Sequence, residues 1–178
     1  MIVSIFCGSK HKVEPSFFPA VKSLIQQLET IENIKIAYGG GKTGLMKEIF
    51  NNCNHNLISV NCEKWRQPEE DGCYIEEYLY TSILDRQNHL LRIADAYIVC
   101  PGGVGTVFEF LQALTCNDIK ECNKPIFVFN HNNYFSCIFD FIEHARNSGM
   151  ITKTNEEWNL FIESTPELLV AKIKETCL

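Results

Sequence analysis

Short apolar runs alternate with amphipathic stretches along almost the whole chain, and few folds accommodate that rhythm. The apolar runs predict strands at 2–7, 34–38, 57–61, 75–80, 96–100 and 126–130, with a weaker one at 158–162. Helical patterns fall between them, at 16–29, 43–52, 82–94, 104–117, 134–147 and 166–176. In 82–94 the apolar residues Ile83, Leu90, Leu91 and Ala94 share one helical face. Strands that are apolar nearly throughout imply burial on both faces, as in a parallel sheet covered by helices. Strand–helix alternation at this period is an α/β domain with a doubly wound, mostly parallel sheet flanked by helices. At 178 residues the chain makes one domain, 1–178, with no internal repeat. The polar stretch 63–72 reads as a surface loop, because the periodic pattern resumes directly after it.

In open α/β sheets ligands bind at the carboxyl ends of the strands. Three glycine-bearing turns fall there: Gly8-Ser9 after the first strand, Gly39-Gly-Gly-Lys-Thr-Gly44 after the second, and Gly102-Gly-Val-Gly105 after the fifth. Right-handed crossovers bring such turns to one rim of the sheet, so a single crevice is expected.

The segment Pro101-Gly-Gly-Val-Gly-Thr-Val-Phe-Glu109 carries the most chemistry. A strand that empties into glycines and then a helix exposes backbone N–H groups at the positive end of a helix dipole, which suits a phosphate. Thr106 adds a hydroxyl donor. Glu109, one turn into the helix, repels an anion unless it acts on a different part of the same ligand. The segment therefore reads as a phosphate seat joined to an acidic catalyst. Its plain alternative is a loop bent for packing, with Glu109 solvated.

The formal charge of −6 and the absence of a basic cluster with interleaved aromatics argue against a nucleic-acid partner. No apolar run approaches the roughly 20 residues of a membrane span. The N-terminal Met-Ile-Val-Ser-Ile-Phe starts directly as a strand without a basic leader, so a cytoplasmic location is expected. Nine cysteines, an odd number without any Cys-x-x-Cys, predict free thiols rather than disulfides or a metal site.

The second glycine turn invites two labels. A Walker A loop requires glycine where Ile36 stands, so that spacing fails. The dinucleotide fingerprint fits Gly39, Gly41 and Gly44, with Glu63 as the ribose-binding acid, but it leaves 101–109 unexplained. A third reading gives these glycines only tight turns and close helix packing.

Pro101-Gly-Gly-Val-Gly-Thr-x-x-Glu109, together with Gly39-Gly-Gly-x-x-Gly-Leu-Met46, closely resembles the LOG family, the cytokinin riboside 5′-monophosphate phosphoribohydrolases often labelled possible lysine decarboxylases. The resemblance runs over nearly the whole chain. It implies a Rossmann-like fold, a homodimer with active sites near the interface, and hydrolysis of the N-glycosidic bond of a nucleoside 5′-monophosphate such as AMP, without a cofactor. On that resemblance Arg86 and Glu109 are catalytic. Substrate contacts fall on Gly8, Ser9, Gly39, Gly40, Gly41, Gln87, Gly102, Gly103, Val104, Gly105, Thr106 and Thr115. Without it, Arg86 reads as a surface charge pairing with Asp85 or a neighbour.

The chain departs from the family pattern in three places. Gln87 replaces a lysine, Lys47 replaces a glycine, and Phe108 replaces the first acid of a Glu-Glu pair. An acidic ligand contact of the family falls on Glu69 or Glu70. Similar proteins carry molybdenum cofactor without turnover, which is the competing binding-module reading. Lys42 and Lys47 fit a decarboxylase Schiff base by residue type alone.

Overall fold

The computed structural model describes residues 1–53, 56–66 and 74–178. Seven strands are hydrogen-bonded in one sheet: β1 (Ile2–Phe6), β2 (Lys35–Tyr38), β3 (Leu57–Cys62), β4 (Glu76–Tyr80), β5 (Ala96–Val99), β6 (Ile126–Phe129) and β7 (Leu160–Glu163). Their order is β4-β3-β2-β1-β5-β6-β7, and every neighbouring pair is parallel. The expected mostly parallel sheet is thus parallel throughout. Among the described residues five helices connect strands, α1 (Phe17–Leu28), α2 (Gly44–Asn52), α3 (Ile83–Ile93), α4 (Val104–Asp118) and α5 (Ser136–Asn147), and a sixth, α6 (Pro166–Cys177), follows β7.

The composition of the strands explains the layering. β3, β5 and β6 are buried at every residue, because helices cover both sheet faces. On one face Val21, Leu24 and Leu28 of α1, Ile49 of α2 and Leu169 and Ile173 of α6 form a core with Ile5, Ile36 and Ile98. On the other, Leu90 of α3, Phe110 and Leu114 of α4 and Ile142 of α5 pack against Val60, Val99 and Val128. The edge strand β4 alternates in burial, with Glu77 and Leu79 facing outward. One polar side chain crosses the core: the buried Ser4 hydroxyl donates to the Leu90 carbonyl at 2.7 Å, tying α3 to the central strand.

Two element starts differ from the sequence reading by two residues, and the others agree to within one. The helix expected from Tyr134 begins at Ser136, because Asn132 (φ 51°) and Asn133 (φ 57°) adopt left-handed backbone just before it and form a 3₁₀ turn. The weak seventh strand is shifted to Leu160–Glu163, since Trp158 belongs to the preceding turn and buries its ring against the core. Among the described residues no helix is long and apolar enough to cross a membrane.

Gly44 opens α2 at φ +56°, and a Cβ there falls 2.5 Å from the Ser9 carbonyl carbon and 2.6 Å from the Lys10 oxygen. Both obstacles are backbone, so relief requires the first two turns to separate. Gly44→Ala is expected to cost about 2 kcal/mol or more, lowering Tm by roughly 5 °C or more. Thermal unfolding followed by far-UV circular dichroism measures it; an unchanged Tm contradicts this packing.

Candidate active site

The chain leaves β1 toward one edge of the sheet and leaves β5 toward the other, so their carboxyl ends diverge and a crevice opens between the following loops. Backbone bonds stitch that crevice together. Gly8 N–H donates to the Pro101 carbonyl at 3.0 Å, and Leu45 N–H donates to the Gly8 carbonyl at 2.9 Å. The Thr43 hydroxyl donates to the Ser9 carbonyl at 2.9 Å. The three glycine turns therefore do meet at one rim, around a cleft of about 1460 Å³. That exceeds the roughly 300–1,000 Å³ of ordinary small-molecule sites.

The start of α4 forms one end of the cleft. Gly103 is its N-cap, no side chain caps the helix, and no acid stands in the first turn. The leading amides of a helix have no carbonyl partner inside it, so this positive end is left for a ligand. A Cβ at Gly103 or Gly105 would meet no atom within 4 Å, so packing does not demand glycine there; open backbone does. Gly102 is different: it is wedged against Thr106 and Gly8. The Tyr134 hydroxyl donates to the Gly102 carbonyl at 2.7 Å and fixes the loop from the β6 side. Val104 projects outward at the mouth, while Thr106 is buried at the cleft wall.

Beneath this turn lies a buried ion pair. Arg86 Nη1 donates to Glu109 Oε1 at 2.9 Å, with the two residues only 6% and 7% exposed. Arg86 Nε donates to the Val60 carbonyl at 3.0 Å. Both side chains line the cleft floor. The surface reading of Arg86 is therefore overturned. Asp85 instead sits in the first turn of α3, where its N–H donates to the Ser82 capping oxygen at 3.3 Å. Burial pushes the Glu109 carboxyl up from its ordinary pKa, by more than the neighbouring guanidinium pulls it down.

The second glycine turn serves this pair. A Cβ at Gly39 would enter the space of the Arg86 guanidinium and press on Met46. Gly40, at φ +76°, packs on Ser59 and Asn61 behind the cleft and does not line it. Gly39 and Gly41 do line it, as do Gly8, Ser9 and Gln87. Glu63 is exposed in the 3₁₀ turn Glu63–Trp65 and outside the cleft wall, so the dinucleotide fingerprint lacks its acid. Thr115 is not brought to the cleft either. It lies further along α4, exposed, with its hydroxyl donating to the Leu111 carbonyl at 2.7 Å. Neither Lys42 nor Lys47 lines the cleft. Glu69 and Glu70 fall outside the described residues. The Cys7 and Cys100 thiols are buried, with pKa values raised by that burial, Cys100 to about 12, so neither is a thiolate nucleophile.

The sequence reading missed several cleft residues. Lys10 and Lys12 follow the first glycine turn, Lys64, Trp65 and Arg66 follow β3, and Tyr134 follows β6. All stand just past carboxyl ends of strands, so the rule that located the glycine turns applies equally to them.

The sequence model of the family described as "Possible lysine decarboxylase" matches residues 29–173. A cytokinin riboside 5′-monophosphate phosphoribohydrolase of Arabidopsis thaliana is 30% identical over 154 residues, covering 84% of this chain and 70% of its own. The enzyme of the same name from Rhodococcoides fascians is 27% identical over 155 residues, covering 84% and 78%. Among solved structures, the molybdenum cofactor binding protein of Rippkaea orientalis superposes with a TM-score of 0.71 at 18% identity, covering 99% of this chain and 97% of its own. The molybdenum cofactor carrier protein of Chlamydomonas reinhardtii gives 0.71 at 14% identity, covering 98% and 96%. At those identities the two structures establish a shared fold. With a seven-stranded Rossmann-like sheet, the glycine-opened helix and the matched span together, this chain belongs to the family described as possible lysine decarboxylases, the LOG family.

Proposed function

We propose that the protein hydrolyses the N-glycosidic bond of a nucleoside 5′-monophosphate, releasing the free base and ribose 5-phosphate. The observation that carries this reading is the buried Glu109–Arg86 pair one turn beneath the uncapped start of α4. A 5′-phosphate on the open amides of Gly103–Gly105 leaves the ribose over Glu109, with both ends held by one rigid helix. Positioning of that kind is worth on the order of 7 kcal/mol of barrier at best.

The chemistry then needs little else. As the bond from C1′ to the base nitrogen breaks, its electron pair leaves with the base, which takes up a proton, and the sugar becomes oxocarbenium-like. The Glu109 carboxylate stabilises that cation and accepts a proton from the water whose oxygen bonds to C1′. Arg86 offsets part of the effect of burial on the Glu109 pKa and aims the carboxylate. The relatives named as phosphoribohydrolases support this reading. The size of the cleft favours a second one, a carrier of a nucleotide or of molybdenum cofactor without turnover.

We also propose a homodimer. Phe108, Leu111 and Thr115 follow one face of α4 and are exposed or half-buried, and Leu84 is exposed on α3. The two faces adjoin, since Gln112 Nε2 donates to Asn88 Oδ1 at 3.2 Å, one turn beyond Phe108 and Leu84. A second copy packed two-fold on this face covers the apolar residues and accounts for Thr115, which serves the other copy's cleft rather than its own.

Incubated with AMP, the protein is expected to release adenine and ribose 5-phosphate, detected by chromatography, with adenosine a poor substrate. Glu109→Gln should lower kcat by at least about a hundredfold while nucleotide affinity persists. Nucleotide binding with no base released by the unaltered protein over hours supports the carrier instead. Because the Glu109 pKa is raised, the carboxylate forms only as pH climbs above the ordinary glutamate range. The acid limb of kcat against pH should lie above that range; a limb at or below it removes Glu109 as the titrating group. Phe108→Glu should convert the dimer to monomer in sedimentation velocity; a monomeric unaltered protein removes the two-fold assembly.

A further inference from the structure

Two further side chains that line the cleft have no role in the chemistry above. Gln87 is only 6% exposed, lines the cleft, and has an enclosed carboxamide oxygen without any hydrogen-bond partner. Buried polar atoms in folded proteins are nearly always paired, and an orphan on a cleft wall is matched when a ligand brings the partner. Trp65 is 55% exposed, although large aromatics are normally covered, and it too lines the cleft. The other tryptophan, Trp158, is buried and its indole N–H donates to Asp118 Oδ1 at 2.8 Å.

Topology places these groups after β3 and β4, on the same rim as the phosphate seat. Trp65 sits in the 3₁₀ turn directly after β3, closed by Arg66 N–H donating to the Cys62 carbonyl at 3.1 Å. Arg66 is steadied by Glu77 at 3.3 Å. Ile83 opens α3 just after the neighbouring β4, and Gln87 stands one turn later on the same face. Both α3 residues, and Met46 of α2, line the cleft. From β5 to β3 is three strand spacings, about 14 Å, which is of the order of a mononucleotide from phosphate to base edge. The Arg86–Glu109 pair lies between, bonded to Val60 of β3 on one side and carried by α4 on the other. Phosphate, sugar and base thus map onto successive stations along one rim.

We propose that the β3 end of the cleft is a nucleobase subsite, in which the Trp65 indole stacks on the base and the Gln87 carboxamide reads its hydrogen-bonding edge. The subsite rests on the nucleotide reading above and names the residues that read the base. A carboxamide offers one acceptor and a donor pair, and a half-turn about its last bond exchanges them without changing its shape. It therefore pairs with a 6-aminopurine edge in one orientation and a 6-oxopurine edge in the other. Stacking is indifferent to base identity, because every base has a π-face. The subsite accepts both kinds of purine.

The test is a stopped-flow titration of the intact protein, read before turnover, with AMP, IMP and ribose 5-phosphate as probes. Both nucleotides should quench tryptophan fluorescence and bind within a few-fold of each other, while ribose 5-phosphate binds without quenching. Trp65→Phe should remove most of the quench with binding retained, and Trp65→Ala should weaken both nucleotides about tenfold or more. Gln87→Glu keeps the shape but only accepts, so it opposes N1 of AMP and O6 of IMP alike, and both nucleotides should weaken about tenfold; ribose 5-phosphate should be unmoved in every variant. Nucleotide binding that leaves Trp65 silent, or AMP and IMP affinities unaffected by Gln87→Glu, overturns the subsite and leaves the hydrolysis standing. Failure of any nucleotide to bind overturns both.

Discussion

Everything at the carboxyl rim is arranged around one buried charge pair. Taking a guanidinium and a carboxylate out of water costs several kcal/mol per ion, and their contact recovers this only where geometry and further hydrogen bonds are good. Here the contact is 2.9 Å, and a second bond from Arg86 reaches the Val60 carbonyl. Removing either partner strands the other in a low-dielectric floor. The pair therefore fixes α3 against α4, and fixes both against β3, in a way that apolar packing does not. A cleft built on such a floor holds its shape while empty, which is what preorganised catalysis requires.

The pair also separates two kinds of glycine that look alike in the sequence. Gly39 and Gly44 are demanded by packing, the first to admit the Arg86 guanidinium and the second to let α2 start against the Ser9–Lys10 backbone. Gly103 and Gly105 face empty space. A side chain there would clash with nothing in the protein and would obstruct only what approaches it. Glycine where packing does not need it fits the proposal that a ligand's anionic end meets this surface. The glycine-rich turn after β2 is thus support, and the one after β5 is the seat.

The sequence disclosed the architecture because period and burial are local properties. The apolar runs 96–100 and 126–129 read as strands buried on both faces, whereas Glu-Glu-Tyr-Leu-Tyr of the edge strand β4 alternates in burial but not in the sequence. The starts of α5 and β7 were less legible, since two left-handed asparagines and a buried turn tryptophan depend on tertiary packing. At the site, the glycine turns and Glu109 could be placed from spacing alone. The environment of Arg86 could not, because a helix position followed by Gln87 and Asn88 looks solvated until the sheet beneath it is known. Tyr134, Trp65 and the lysines of the rim carry no motif, and only their location past strand ends connects them.

Charge at the cleft runs counter to charge on the molecule. The chain is −6 overall, yet Lys10, Lys12, Lys64, Arg66 and Arg86 line the cleft against Glu14 and Glu109. Arg86 is spent on Glu109, and Arg66 leans on Glu77. The neutral Gln87 keeps the buried floor balanced, whereas a second buried cation beside Arg86 would stand without a partner carboxylate. Retention of an anion is thereby left to the open amides of α4, with the outer lysines drawing it in through a field that salt screens. On the proposed function, holding phosphate by backbone and dipole rather than by a buried cation leaves Arg86 to Glu109 and the paired carboxylate to the sugar.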